Sequence, residues 1–138
     1  MPIDSYSRKT FTPAFAVLVG ATGGATGVIT GTVIDTAGYR SNTLVLSAGL
    51  QSASVTSVTP VIMSGTVTGT LTSCAASELI NTEALVAAEF AGALTTPGAA
   101  AGIAYIGPSR YCSVNVTVAG AATGVYSGVW VQEDALKK

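Results

Sequence analysis

The chain contains no histidine in its 138 residues. That absence removes the usual partner that activates a serine or cysteine nucleophile, the commonest general base and the commonest metal ligand. Charge is scarce as well. Only 9% of residues are Asp, Glu, Lys or Arg, against about 25% in an average soluble domain. The formal net charge is −1, so there is no basic footprint for nucleic acid. There is equally little of the charge that keeps free monomers apart. Aromatic residues make up 7%. Long hydrophobic runs are missing too: mean hydropathy is +0.56, yet the longest nearly unbroken apolar run, Ala14–Ala21, falls far short of the ~20 residues a spanning helix needs. No membrane partner is expected.

The seven carboxylates do not assemble into a catalytic pattern. Glu133 and Asp134 are neighbours, and a strand sends neighbouring side chains to opposite faces. Glu78, Glu83 and Glu89 are five and six residues apart, a spacing that does not gather them on one helical face. Neither the converging pair a glycosidase requires nor a calcium-loop spacing is present. The Gly-rich "GATGGATG" at 20–27 matches neither the dinucleotide fingerprint nor the P-loop, and no lysine follows it. It reads as a long turn. Cys74 and Cys112 stand in no metal-ligand spacing. They read first as small core residues, though they could pair in a disulfide if the fold brings them together. Arg110 lies two residues before Cys112 and could lower its pKa, but an alternating strand makes an inward-facing thiol the better reading. No enzymatic role, cofactor, metal or small-molecule substrate is expected.

What is present is β-branched and punctuated. Residues 1–13 are polar, carry Pro2 and Pro13 and hold Arg8 and Lys9, two of the six basic residues. They read as an N-terminal arm ahead of a single domain over 14–138. Arg8-Lys9 followed by "TFTPAFAVLVGATGGA" imitates an export signal, but Asp4, Pro13 and the short apolar zone argue against one. "AFAVLV" (14–19), "VITGTVI" (28–34), "TLVLSA" (43–48), "SVTSVTPVIM" (54–63) and "TVTGTL" (66–71) read as short strands bounded by turn residues. In "CSVNVTV", Cys112, Val114, Val116 and Val118 alternate with Ser113, Asn115 and Thr117, which predicts that the first set faces a core. "VYSGVWV" (125–131) is read with Val125, Val129 and Val131 inward, leaving Tyr126 and Trp130 as an exposed contact patch. "SELINTEALVAAEF" (77–90) breaks the pattern as a short helix or a loop excursion, and "AGALTTPGAAAG" (91–102) reads as a loop. Strands at this spacing predict a mainly β fold, an antiparallel sandwich or barrel.

Three stretches in order carry a family resemblance: "TVIDTAGYRSNTLVLSAG" (32–49), "ELINTEALVAA" (78–88) and "IAYIGPSRYCSVNVTVAGAATG" (103–124). Together they resemble the capsid decoration, or cement, proteins encoded among the head genes of tailed bacteriophages. The likeness spans about residues 28–131 and departs from the family at "MSGTVTGTLTSCAA", where relatives are more acidic. It implies a jelly-roll-like β-sandwich and a non-catalytic virion protein that assembles in the host cytoplasm. It implies as partners the major capsid protein and copies of itself, as a homotrimer on the capsid exterior. Arg8, Lys9, Arg40, Arg110, Tyr126 and Trp130 are then the candidate contacts. Two other readings stay open: a tail or head-fibre subunit, and a secreted carbohydrate- or receptor-binding sandwich using Tyr126 and Trp130.

Overall fold

The computed structural model describes residues 9–20, 27–51, 55–81, 98–119 and 123–134. Among these residues ten strands run in the order β1 (Lys9–Gly20), β2 (Gly27–Thr30), β3 (Ile34–Asp35), β4 (Tyr39–Gln51), β5 (Ser57–Gly65), β6 (Thr72–Ser73), β7 (Leu79–Asn81), β8 (Ala100–Tyr105), β9 (Tyr111–Ala119) and β10 (Thr123–Asp134). One sheet has the order β1-β10-β4-β8-β7, the other β2-β9-β5-β6, with β3 also on β9. All of the pairings are antiparallel. Two antiparallel sheets packed face to face make the expected β-sandwich.

The pairings are nested. β5 pairs with β6, β4 with β8, β2 with β9 and β1 with β10, so each pair encloses the one before it along the chain. The path is that of one long hairpin wrapped into two layers. Its layers are tied at one side near Gly31, whose N–H donates to the Val114 carbonyl at 2.7 Å. The next residue's amide, Thr32 N–H, donates to Ala14 O in the other sheet at 2.8 Å. The β1–β10 register shifts between Pro13 and Phe15, which turns the Ala14 carbonyl out of the ladder and toward Thr32.

The core lies between the sheets and is built by alternation. On β9, Cys112, Val114, Val116 and Val118 are all buried, as the period of two predicts. They meet Val58 and Ile62 of β5, Ile29, Ile34 and, from the opposite sheet, Leu44, Leu46, Ala48, Ile103 and Tyr105. Ser113, expected to face outward, is buried because its hydroxyl donates to the Gly31 carbonyl at 2.7 Å.

Several expectations are corrected. The stretch 66–71 is an exposed turn between β5 and β6 rather than a strand. Thr70 N–H donates to Val67 O at 3.2 Å, and Gly65 admits the returning chain where a Cβ would meet Thr70 O at 2.8 Å. "VITGTVI" is two strands, broken at residues 31–33 by the tie just described. Residues 9–13, assigned to an arm, pair with β10 from Glu133 to Val129 and so belong to the sheet. At the start of 77–90, a 3-10 turn (Ala76–Glu78) leads into the strand β7 (Leu79–Asn81). The helix expectation for 82–90 and the turn at 21–26 lie outside the described residues, as do Arg8 and the rest of residues 1–8.

The largest correction concerns β10. Tyr126 and Trp130 are core residues, 2% and 0% exposed, while Val125, Val129 and Val131 face outward. Gly124 and Gly128 share the inner face with the two rings. A Cβ on Gly124 would stand 2.7 Å from the Tyr126 ring, so glycine makes the room that the aromatic fills. Both faces of the strand are apolar, and the face that buries two rings removes more area from water.

The two thiols are free. Cys74 N–H donates to Ile62 O at 2.9 Å, placing Cys74 beside β5, whereas Cys112 lies on β9 opposite Ser64. A whole strand therefore separates them. Two strand spacings are roughly 9.6 Å, beyond the ~7 Å between Cα atoms that a disulfide can span. Burial pushes the Cys112 thiol up to about 12, and burial raises Cys74 as well. Both shifts favour the protonated thiol, so alkylation of the native protein at pH 8 should label the half-buried Cys74 and spare Cys112 until the chain unfolds. Peptide mass spectrometry with and without urea checks this; rapid native labelling of Cys112 would mean that the β9 face is open. Because the folded-state value is raised, the contribution of Cys112 to stability is complete below its ordinary 9.0 and is lost as pH rises toward about 12.

Candidate interaction surfaces

The charged residues gather at one end of the sandwich. β1 begins there with Lys9, β10 finishes there with Glu133 and Asp134, and β4 starts there beside Arg40. β3 brings Asp35 to the same end, the β8–β9 turn brings Arg110, and Glu78 enters β7 there, its carbonyl accepting from Ile106 N–H at 2.8 Å. Among the described residues no Asp, Glu, Lys or Arg lies anywhere else.

The "YIGPSRY" turn at 105–111 builds the centre of this end. Ser109 N–H donates to the Tyr105 hydroxyl at 3.0 Å, and Gly107 is needed because a Cβ would lie 2.5 Å from that hydroxyl. Thr36 clamps the turn from β3: its amide donates to Arg110 O at 2.7 Å, and its hydroxyl reaches the Ser109 and Arg110 carbonyls at 3.0 and 2.9 Å. With its chain fixed in this way, Arg110 grips Asp35 with two nitrogens, Nη2 to Oδ2 at 2.8 Å and Nε to Oδ2 at 3.1 Å. Its guanidinium also lies 5.2 Å from the Tyr111 ring centroid. Behind this pair the amide of Gln132 donates to Asp35 O at 2.9 Å and to Asn42 Oδ1 at 2.8 Å, coupling the two sheets through buried polar groups.

Sequence reasoning singled out Arg110 but missed its partner. The signal was Asp35-Thr36-Ala37, an Asp-led turn in which Ala37 N–H donates to Asp35 Oδ1 at 2.9 Å. The Arg110 hydrogen bond, then that amide, hold the Asp35 carboxyl below its ordinary 3.8. A lowered carboxylate contributes stability above its unfolded pKa and loses it as pH falls through the folded value. Asp35→Asn should therefore flatten the acid limb of a stability–pH curve below about pH 4 and alter the alkaline side little. Urea midpoints from pH 2 to 8 measure this, and an unchanged acid limb would show that the pair contributes nothing.

The other candidates divide. Lys9 is paired with Glu133 at 3.1 Å across β1 and β10. Arg40 is exposed and has no ion pair among the described residues. Lys9, Arg40 and Arg110 thus share one end, but Tyr126 and Trp130 are interior and cannot form a contact patch. With them goes the basis for a carbohydrate groove. No family model, curated protein or solved structure matches the chain. The function has to be argued from the surface itself.

Among the described residues, that surface has two sheet faces bare of charge except for the Lys9–Glu133 pair at one margin. On the β2-β9-β5-β6 sheet the outward residues are Val28, Thr30, Thr59, Val61, Met63, Asn115 and Thr117, a hydroxyl-rich set. The other sheet is more apolar. One transverse row reads Phe11, Val131, Thr43, Ala104 and Ile80 from β1 to β7, and the next reads Pro13, Val129, Val45 and Gly102. Phe11 is 65% exposed, Ile80 50% and Val45 40%.

Proposed function

We propose that this chain is a structural virion protein, a decoration or cement subunit that binds the outside of an icosahedral phage head and stabilises the assembled shell. The single observation that carries this reading is the segregation of charge among the described residues: broad sheet faces uncharged except for the Lys9–Glu133 pair at one margin, and one end where the cations and carboxylates gather, with two ion pairs among them. A free-standing monomer is normally dispersed by charge over its whole surface. A subunit that lives between neighbours needs uncharged flanks and a polar end.

The nested pairing supports the finer fold reading. Four antiparallel pairs folded into two layers of four principal strands form a jelly roll, an architecture common among viral capsid and lectin domains. Fold alone does not give function; the surface pattern and the resemblance of residues 28–131 to cement proteins are what favour the capsid.

In this reading the subunits form a homotrimer with the charged end toward the major capsid protein. Arg40, the cation without an ion pair among the described residues, is the contact proposed at that end, together with the N-terminal arm. A trimer that bridges capsomers makes its second and third contacts effectively intramolecular, so each contact need bury only a modest area. Binding the assembled shell and not its free subunits stabilises the shell by mass action. No catalytic step, cofactor or nucleic-acid contact is part of this function.

The test is decoration of undecorated heads by the purified protein. Wild-type protein should bind to saturation and raise the temperature at which heads release DNA. A chain lacking residues 1–8 keeps every described β1–β10 pair, Lys9–Glu133 included, and should bind at least tenfold more weakly with an unchanged circular dichroism melt. Full decoration by the truncated chain would remove the arm from the contact, and failure of wild-type protein to bind any head would remove the function.

A further inference from the structure

We propose that the outer face of the β1-β10-β4-β8-β7 sheet is the surface on which a second copy of this chain packs. This deepens the self-association part of the function proposed above and rests on that part alone. The first argument is the composition of β10. It is apolar at both parities, Tyr126 and Trp130 inward and Val129 and Val131 outward, the pattern of a strand covered on both sides. One side is covered by the opposite sheet.

The second argument is extent. β1, β10 and β4 stay paired over about ten residues, and β8 and β7 widen the middle. At roughly 4.8 Å between strands and 3.3 Å per residue, the face measures on the order of 600 Å² in flat projection. Relief from its side chains brings it close to the ~800 Å² that each partner contributes to a standard interface.

The third argument selects the occupant. The charged groups on this face, Lys9 and Glu133, sit at its margin and satisfy each other. Nothing is left to steer or select a charged partner. Homo-oligomer interfaces are the more apolar class, while partners that also live apart keep polar faces. A second copy presents the same uncharged rows of Phe11, Val131, Thr43, Val129 and Val45, so the face matches its own copy in chemistry.

Sedimentation velocity from 1 to 100 µM tests the inference. Wild-type protein should sediment at the mass of two or more chains, and Val45→Glu, at the centre of the face, should sediment as one folded chain. Val61→Glu adds the same charge to the other sheet's outer face and should keep the wild-type mass. Where Val45→Glu fails to fold, Thr43→Glu at the adjacent row replaces it. A wild-type monomer at every concentration overturns the inference without recourse to any variant. So does a folded Val45→Glu or Thr43→Glu protein of wild-type mass. An oligomer that never decorates heads would sink the capsid role and leave this face standing, whereas decoration by a monomer would do the reverse.

Discussion

Trp130→Ala is expected to lower folding stability by about 3–5 kcal/mol, the range for deleting a large buried ring. A domain of this kind is held by about 5–15 kcal/mol in total, so the variant should melt on the order of 10–20 °C below wild type or fail to accumulate. Trp130 has no exposed surface and sits on β10, an inner strand of its sheet flanked by β1 and β4. Truncation would open a cavity against Leu44, its register partner on β4, in a wall of strands that cannot close around it. Trp130→Phe should cost much less. The indole N–H has no partner among the described residues, so phenylalanine orphans no acceptor. Urea denaturation of both variants measures the difference. If Trp130→Ala cost less than about 1 kcal/mol, the size of a typical surface-to-modest effect, β10 would have to be turned over, with Val125, Val129 and Val131 inward.

Gly31→Val should be the next most damaging change. A Cβ at residue 31 would lie 2.8 Å from a Val114 methyl and 3.0 Å from the Val114 carbonyl oxygen. The oxygen belongs to a paired strand and cannot swing away. Overpacking of this sort costs about 1–3 kcal/mol, and here the displaced backbone also carries the Gly31–Val114, Thr32–Ala14 and Ser113–Gly31 hydrogen bonds. Those bonds close one side of the sandwich. The expected result is a lower urea midpoint together with faster amide exchange at Gly31 and Thr32. A variant with wild-type exchange at those amides would show that the tie is not a closure of the fold.

Much of the β architecture is legible in the sequence, and the failures have physical causes. β9 reads correctly apart from the buried Ser113, because its two parities differ in kind: Cys112, Val114, Val116 and Val118 against Ser113, Asn115 and Thr117. A register slip there would bury hydroxyls and expose valines, so the pattern admits one answer. β10 reads wrongly because both of its parities are apolar. Alternation tells which residues share a face and not which face is inside. Glycine parity carries the missing information: Gly124 and Gly128 fall with Tyr126 and Trp130, and small residues beside large ones mark a packed interior. The turn at 66–71 reads as a strand because Thr and Val alternate there, although Gly65 precedes it, Gly69 interrupts it and every residue from 66 to 70 is exposed.

The candidate surface was only partly legible. Scarcity of charge is plain from composition, but its confinement to one end arises from topology. Lys9, Asp35, Arg40, Glu78, Arg110 and Glu133 are dispersed over more than a hundred residues and meet because their strand ends coincide. The Arg110–Asp35 grip joins residues 75 apart in sequence, a distance no local pattern encodes. The resemblance to cement proteins suggests a function that composition alone does not name, while the parity reading of β10 puts Tyr126 and Trp130 on the wrong face.

Immunogold labelling of intact particles from the producing cells, with antibody raised against the purified chain, tests the central claim most directly. The account predicts gold distributed over the faces of icosahedral heads, at a density that disappears from particles lacking the gene. Gold confined to tails or fibres, or particles that carry no label while the chain remains free in the lysate, would contradict it.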